Sequence, residues 1–214
     1  MTAMAKDIVI IGAGGLGSEV AWTIERINAA AGEPVWRIVG FADDDSDRNA
    51  STFAGYPLLG SPSIALKRNP EASVFVAIGE NSVRARIVGR FPDREFPPIV
   101  DPSALVAPSA TLRKGDFIAA GAVVSTGVDL GSFVIVNARA GVGHDSLVGD
   151  YSNLCPGVSL SGHTTLGLFV LMGTNSCTLP GVVVGEGAIV AAGTSAFRNV
   201  EPGTTLSPFG TLKI

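Results

Sequence analysis

From residue 100 to residue 196 an aliphatic or small side chain returns at every sixth position, without an insertion. The series runs through Ile118, Val124, Leu130, Val136, Val142, Val148, Leu154, Leu160, Leu166 and Met172, and Thr178 is its only polar member. A period of six fits neither the 3.6-residue repeat of an α-helix nor the two-residue alternation of a flat strand. It is the signature of a hexapeptide β-helix, a prism with three flat faces in which each face takes one hexapeptide. The aliphatic residue points inward. Two positions before it lies a small or β-branched residue, as at Ala122, Val134 and Val158, and glycine often follows it directly, as at Gly143, Gly149 and Gly173. Small residues are expected to let the chain turn each corner. Three hexapeptides make one coil, so residues eighteen apart stack one strand spacing apart, about 4.8 Å. That rule places His144 beneath Gly162, Asp145 beneath His163 and Asn137 beneath Cys155.

The segment before the repeat has a different grammar. Apolar, β-branched runs at 7–11, 36–43 and 73–79 read as buried strands, and 18–31, 61–68 and 81–89 as helices. This βαβαβ order predicts a small parallel sheet covered by helices, a Rossmann-like α/β domain over 1–97 ahead of a β-helix domain over 98–214. Gly12, Gly14 and Gly17 spell G-x-G-x-x-G between the first strand and the first helix, and Asp43 follows the second strand. Three strands are too few for the six-stranded double fold of a dinucleotide site. The glycine loop therefore reads as a place where a helix N-terminus accepts a diphosphate of some kind.

Composition narrows the function classes. Lys plus Arg is 15 and Asp plus Glu is 19, a formal net charge of −4, so no global basic field attracts nucleic acid. Charged residues are only 16% and hydrophobic residues 46%, which excludes a disordered chain. No segment reaches the roughly 20 apolar residues of a membrane span, and none reads as a signal peptide. A cytoplasmic protein is expected, with Cys155 and Cys177 as free thiols. The two histidines, His144 and His163, both fall in the repeat, and with two scattered cysteines they give no metal-ligand spacing. No metal is expected.

Several runs carry a resemblance. They are Ile10-Ile11-Gly12-Ala13-Gly14-Gly15, Phe41-Ala42-Asp43-Asp44, Val76-Ala77-Ile78-Gly79, Val142-Gly143-His144-Asp145 and Gly173-Thr174-Asn175-Ser176. With them the chain resembles the sugar acyltransferases of the sialic acid O-acetyltransferase and bacillosamine N-acetyltransferase type, over essentially its whole length. The resemblance implies a left-handed β-helix and a homotrimer with active sites between subunits. It implies transfer of an acetyl group from acetyl-CoA to a nucleotide-linked 4-amino-6-deoxy sugar. His144 matches the general base, Asp145 the acid that orients it, and Gly162 the glycine whose backbone N–H meets the thioester carbonyl. Asn153, Thr174, Ala192 and Gly162 match cofactor-contacting positions, Asn153 replacing a histidine of the bacillosamine-type enzymes. Asn137 matches an asparagine near the acceptor amine. Gly14, Gly15, Leu16, Asp43, Asp44 and Gly79 match the nucleotide-sugar site, with Leu16 where many relatives carry histidine. The family's usual Gly-x-Pro-Ala-Lys ending is replaced by Ser207-Pro208-Phe209-Gly210.

Two other readings compete. One keeps the enzyme class and moves the acyl group to a hydroxyl, as in sialic acid O-acetylation. The other is a non-catalytic β-helix that binds nucleotide or assembles a complex. His163 reads as solvated or structural, within reach of Asp145 one coil below.

Overall fold

The computed structural model describes residues 5–45 and 51–213. It has two compact units, Met1–Pro102 and Ser103–Ile214.

In the first unit β1 (Lys6–Ile11) lies between β2 (Trp36–Ala42) and β5 (Ser73–Val76), all three parallel. Between β2 and β5 come a short antiparallel pair, β3 (Thr52–Phe53) and β4 (Tyr56–Pro57), and the helix α2 (Pro62–Arg68). The central strand has both faces covered, so Ile8, Val9, Ile10 and Ile11 are all buried, which is why its sequence does not alternate. Helix α1 (Gly15–Ala31) packs Val20, Ala21 and Ile24 inward and ends at Gly32, whose φ of 74° is the left-handed cap. The helix expected at 18–31 thus begins three residues earlier, inside the glycine loop. The third strand was expected to reach residue 79 but stops at Val76. The chain then leaves the sheet, because the carbonyls of Ile78 and Gly79 accept from the buried Arg84 guanidinium on α3 (Asn81–Gly89). The β3–β4 pair was not anticipated; two-residue strands carry no periodicity to read.

The second unit is a left-handed parallel β-helix with two-residue strands. One face stacks Leu105–Val106 through Ser195–Ala196, a second Asp129–Leu130 through Val183–Val184, and a third runs from Phe117–Ile118 to Thr204–Ser207. Up to Ala196 partners are eighteen residues apart, as in Ile135↔Asn153 and Gly141↔Ser159. Every sixth residue from Ile118 to Ala196 is buried. Val106 and Leu112, in the first coil, are half-buried. Thr178 is satisfied inside the prism: its hydroxyl accepts from the Ser161 N–H and lies 2.9 Å from the Thr164 hydroxyl. After Ala196 the register tightens, with Ile189 facing Thr205, sixteen residues on.

The corners differ from expectation. The glycine that directly follows the inward residue is not the turning residue. A Cβ on Gly143 would lie 2.6 Å from the Gly162 nitrogen of the next coil, so glycine there permits coils to approach. The chain turns two residues later, at a positive φ that recurs every six positions. Half of these positions hold side chains, among them Phe133, Asp145, Tyr151 and His163 at φ of 57–60°. Corners 145 and 163 form one edge of the prism, 133, 151 and 169 a second, and 139, 157, 175 and 193 a third.

Candidate active site

On the first edge, Gly141–Val142 pairs with Ser159–Leu160 and sets His144 under Gly162. The His163 N–H donates to the His144 carbonyl at 2.9 Å, and the Asp145 N–H to Thr126 at 2.9 Å, so the backbones of the cluster belong to the coil ladder. His144 Nδ1 lies 2.8 Å from Asp145 Oδ2. An ionised carboxylate only accepts, so in the neutral imidazole Nδ1 carries the proton and Nε2 keeps its lone pair. The hydrogen bond from His144 is the main cause holding the Asp145 carboxyl below its usual range, and the charge of His163 adds to it. Nε2 faces the Gly162 edge: a Cβ at residue 162 would stand 2.5 Å from it. Glycine there leaves room for a reacting atom above the imidazole. Among the described residues no acceptor lies on the Gly162 N–H, which leaves a backbone donor beside the lone pair. The His163 ring meets that of His144 edge-on, centroids 5.0 Å apart. His144, Asp145, Gly162 and His163 are therefore brought together by the fold, at an exposed edge.

The other sequence-predicted residues of this unit lie elsewhere on the prism. Asn153 is buried in the Asn153–Leu154 strand of the third face. Asn137 is half-buried just after Ile135–Val136 on the same face, its Oδ1 accepting from the Ala138 N–H at 2.6 Å. Thr174 and Ala192 are exposed at the third edge. One flat face of the same prism separates them from His144. Next to that edge is a cleft of about 320 Å³ bordered by Phe197, Arg198, Leu206 and Ser207. The exposed Phe197 carries no sequence signal beyond following the last hexad.

In the first unit Gly14 caps α1 with no side-chain cap, and no acid sits in the first turn. The helix amides around Gly15 and Leu16 are thus available to an anion. Gly12 and Gly17 have packing reasons: Cβ atoms there would meet the Ala77 carbonyl at 2.7 Å and the Gly12 carbonyl at 2.1 Å. Gly14 and Gly15 have none, since a Cβ on either meets nothing within 4 Å. Asp43 braces the loop by accepting from the Ala13 N–H at 2.8 Å. Asp44 pairs with Arg90 at 2.8 Å. A cavity of about 260 Å³ is lined by Gly12, Asp43, Asp44, Ile78, Arg86 and Arg90. Gly79 is exposed on the loop after β5. Arg86 and Arg90 were not singled out from the sequence; Arg86 lies in the last turn of α3 and Arg90 caps it, and their i, i+4 spacing was the available signal.

The PglD N-terminal domain family matches residues 7–91. The acetyltransferase domain of PglB from Neisseria gonorrhoeae in complex with acetyl coenzyme A is 29% identical, with a TM-score of 0.85 over 99% of this chain and 100% of that one. A mutant of perosamine N-acetyltransferase from Caulobacter crescentus in complex with CoA and GDP-perosamine is 27% identical, with a TM-score of 0.86 over 98% and 97%. Over both units the chain is similar to hexapeptide-repeat sugar acyltransferases. Both units are covered by the two structural likenesses. A curated relative, the acyl-[acyl-carrier-protein]–UDP-N-acetylglucosamine O-acyltransferase of Campylobacter concisus, is 26% identical over 163 residues, 74% of this chain. The match spans 62% of that relative's length. Among the described residues no helix is long and apolar enough to cross a membrane.

Proposed function

We propose that the chain transfers the acetyl group of acetyl-CoA to the amino group of a nucleotide-linked 4-amino-6-deoxy sugar. The observation that carries this reading is the His144–Asp145 pair set beneath the Gly162 N–H. The amine nitrogen attacks the thioester carbonyl carbon. The proton it sheds passes to His144 Nε2, and Asp145 stabilises the imidazolium. The Gly162 N–H donates to the developing oxyanion. As the C–S bond breaks, the imidazolium returns its proton to the thiolate, leaving an amide and CoA. No metal takes part.

The uncapped start of α1, with Gly14, Gly15 and Leu16, suits the sugar nucleotide's diphosphate, with Asp43, Asp44 and Gly79 alongside. The pantetheine arm is assigned to Thr174, Ala192 and Asn153, and the phosphates to the cleft beside Arg198. Asn137 is assigned to the acceptor. Thr174 and Ala192 lie a face away from His144 within one chain, so on this reading a complete site draws its base from one subunit and its cofactor wall from the next. A homotrimer meets that requirement. We place the reaction in the cytoplasm.

The test is a thiol-release assay with acetyl-CoA against UDP-, GDP- and dTDP-linked 4-amino-6-deoxy sugars, with 4-hydroxy analogues and free sialic acid as controls. Turnover with one amino sugar nucleotide is expected. His144→Ala should cut kcat by about 10²–10⁴-fold while CoA affinity, read by calorimetry, holds. Turnover only with hydroxyl acceptors, or a fully active His144→Ala, would sink the proposal.

A further inference from the structure

We propose that His144, Asp145 and His163 form a binding site for a divalent transition-metal ion of the zinc class, and that the bound ion switches the base off. The binding half stands on geometry alone; the switching half rests on His144 acting as the base. Acetyl transfer as written above gives His163 no task, although it stands against both partners.

Each of the three residues offers one ligand atom, and these atoms all lie within 4.8 Å of one another, the one such donor cluster among the described residues. Two imidazole nitrogens and one carboxylate oxygen are a donor set that zinc-class ions accept at about 2.0–2.2 Å per bond. Tetrahedral ligands at that radius sit roughly 3.3 Å apart. Asp145 Oδ2 is already central, 2.8 Å from His144 Nδ1 and 4.0 Å from His163 Nε2. Side-chain rotation within the cluster closes the remainder. The side chains are free to make it, being 56%, 56% and 65% exposed for His144, Asp145 and His163, and the open edge admits water as the fourth ligand. The backbones, by contrast, are pinned coil to coil by the 2.9 Å ladder bonds at Asp145 and His163. Among the described residues no lysine or arginine pairs with Asp145 to compete for the ion.

Occupancy changes the tautomer of the base. Without the ion, Nδ1–H donates to Asp145 and Nε2 holds the lone pair. With the ion on Nδ1, the ring proton moves to Nε2, and the atom that must accept the substrate's proton becomes a donor. Atoms and charge balance: the ion enters, one proton changes nitrogen, and no base remains on the Gly162 side.

The test titrates Zn2+ into tag-free, chelator-treated protein by calorimetry, in the absence of substrates, and repeats it with Co2+ read by visible absorption. One ion per chain is expected, with affinity at least about tenfold weaker in His163→Gln and in Asp145→Asn. Acetylated product is then followed by chromatography. His163→Gln should match wild-type turnover in chelator and lose the inhibition that Zn2+ imposes on wild type. His163 is exposed, and an unchanged circular-dichroism melt verifies that the variant keeps the fold. Unaltered Zn2+ affinity in His163→Gln overturns the site, and zinc inhibition that survives in that variant overturns the switch. The binding arm contains no acyl donor or acceptor, so it reads the metal site whether or not the assigned reaction is right.

Discussion

Asp116 shows what a single side chain concedes to hold a coil. It is fully buried, and its two carboxyl oxygens accept from the backbone N–H of Arg113 at 2.7 Å and of Val134 at 2.9 Å. Those donors favour the anion, but burial outweighs them and pushes the carboxyl up to about 7. The sign of the linkage follows. A carboxyl whose folded value is raised contributes stability that is fully present below its unfolded value, about 3.9, and is lost as pH climbs through the folded value. In an Asp116→Asn variant that titration is gone. The Tm of wild type minus that of the variant should therefore fall between about pH 4 and pH 7, measured by calorimetry in matched buffers. A difference that stays flat would mean that the two N–H donors keep Asp116 ionised throughout. At this scale the sequence is informative wherever stacking decides. The eighteen-residue rule placed His144 under Gly162 and Asp145 under His163, because a six-residue repeat without an insertion leaves no freedom in register. It was blind to the corners. Phe133, Tyr151 and Phe169 all adopt positive φ, at a cost of roughly 1–2 kcal/mol each. They recover part of it by stacking, with centroids 5.1 and 5.3 Å apart. Nothing in a single aromatic side chain announces that arrangement.

The strand–loop–helix element of the first unit separates glycines that hold the fold from glycines that face open space, although all read alike in G-x-G-x-x-G. Gly17 abuts backbone: its Cβ would stand 2.1 Å from the Gly12 carbonyl, and β1 cannot shift without breaking its pairing to two strands. Gly17→Ala should cost about 1–3 kcal/mol, seen as a lower Tm. Gly14 has an extended φ of −124° and open space around its Cβ position. Gly14→Ala should leave stability within about 0.5 kcal/mol and raise the KM for the sugar nucleotide, because the methyl group would enter the space assigned to the diphosphate. Equal Tm losses in the two variants would remove the distinction, and an unchanged KM would move the diphosphate elsewhere. The element type was legible from the β-branched run and the apolar face of Val20 and Ile24. The loop after β5 was not. Its path depends on the buried Arg84, whose carbonyl partners at Ile78 and Gly79 become its neighbours only once α3 is docked.

At the scale of the whole molecule, the prism sets the proposed base and the proposed cofactor wall on different edges. His144 and Gly162 lie on the edge of corners 145 and 163, while Thr174 and Ala192 lie on the edge of corners 175 and 193. The Gly141–Val142 face stands between them. If each site joins the first edge of one subunit to the third edge of its neighbour, two inactive variants can repair each other. His144→Ala retains its cofactor wall, and Thr174→Trp, a substitution at an exposed position, retains its base. Each homo-oligomer should be inactive. Co-expressed in equal amounts, they assemble at random, and a given site is intact when a half-probability base meets a half-probability wall, about one quarter of sites in a cyclic assembly. Activity near that fraction, in particles sized as trimers by light scattering, would place the base and the cofactor wall on different subunits. Mixed oligomers as inactive as their parents would place the whole site within one chain, and the pantetheine path would then have to run along the Gly141–Val142 face.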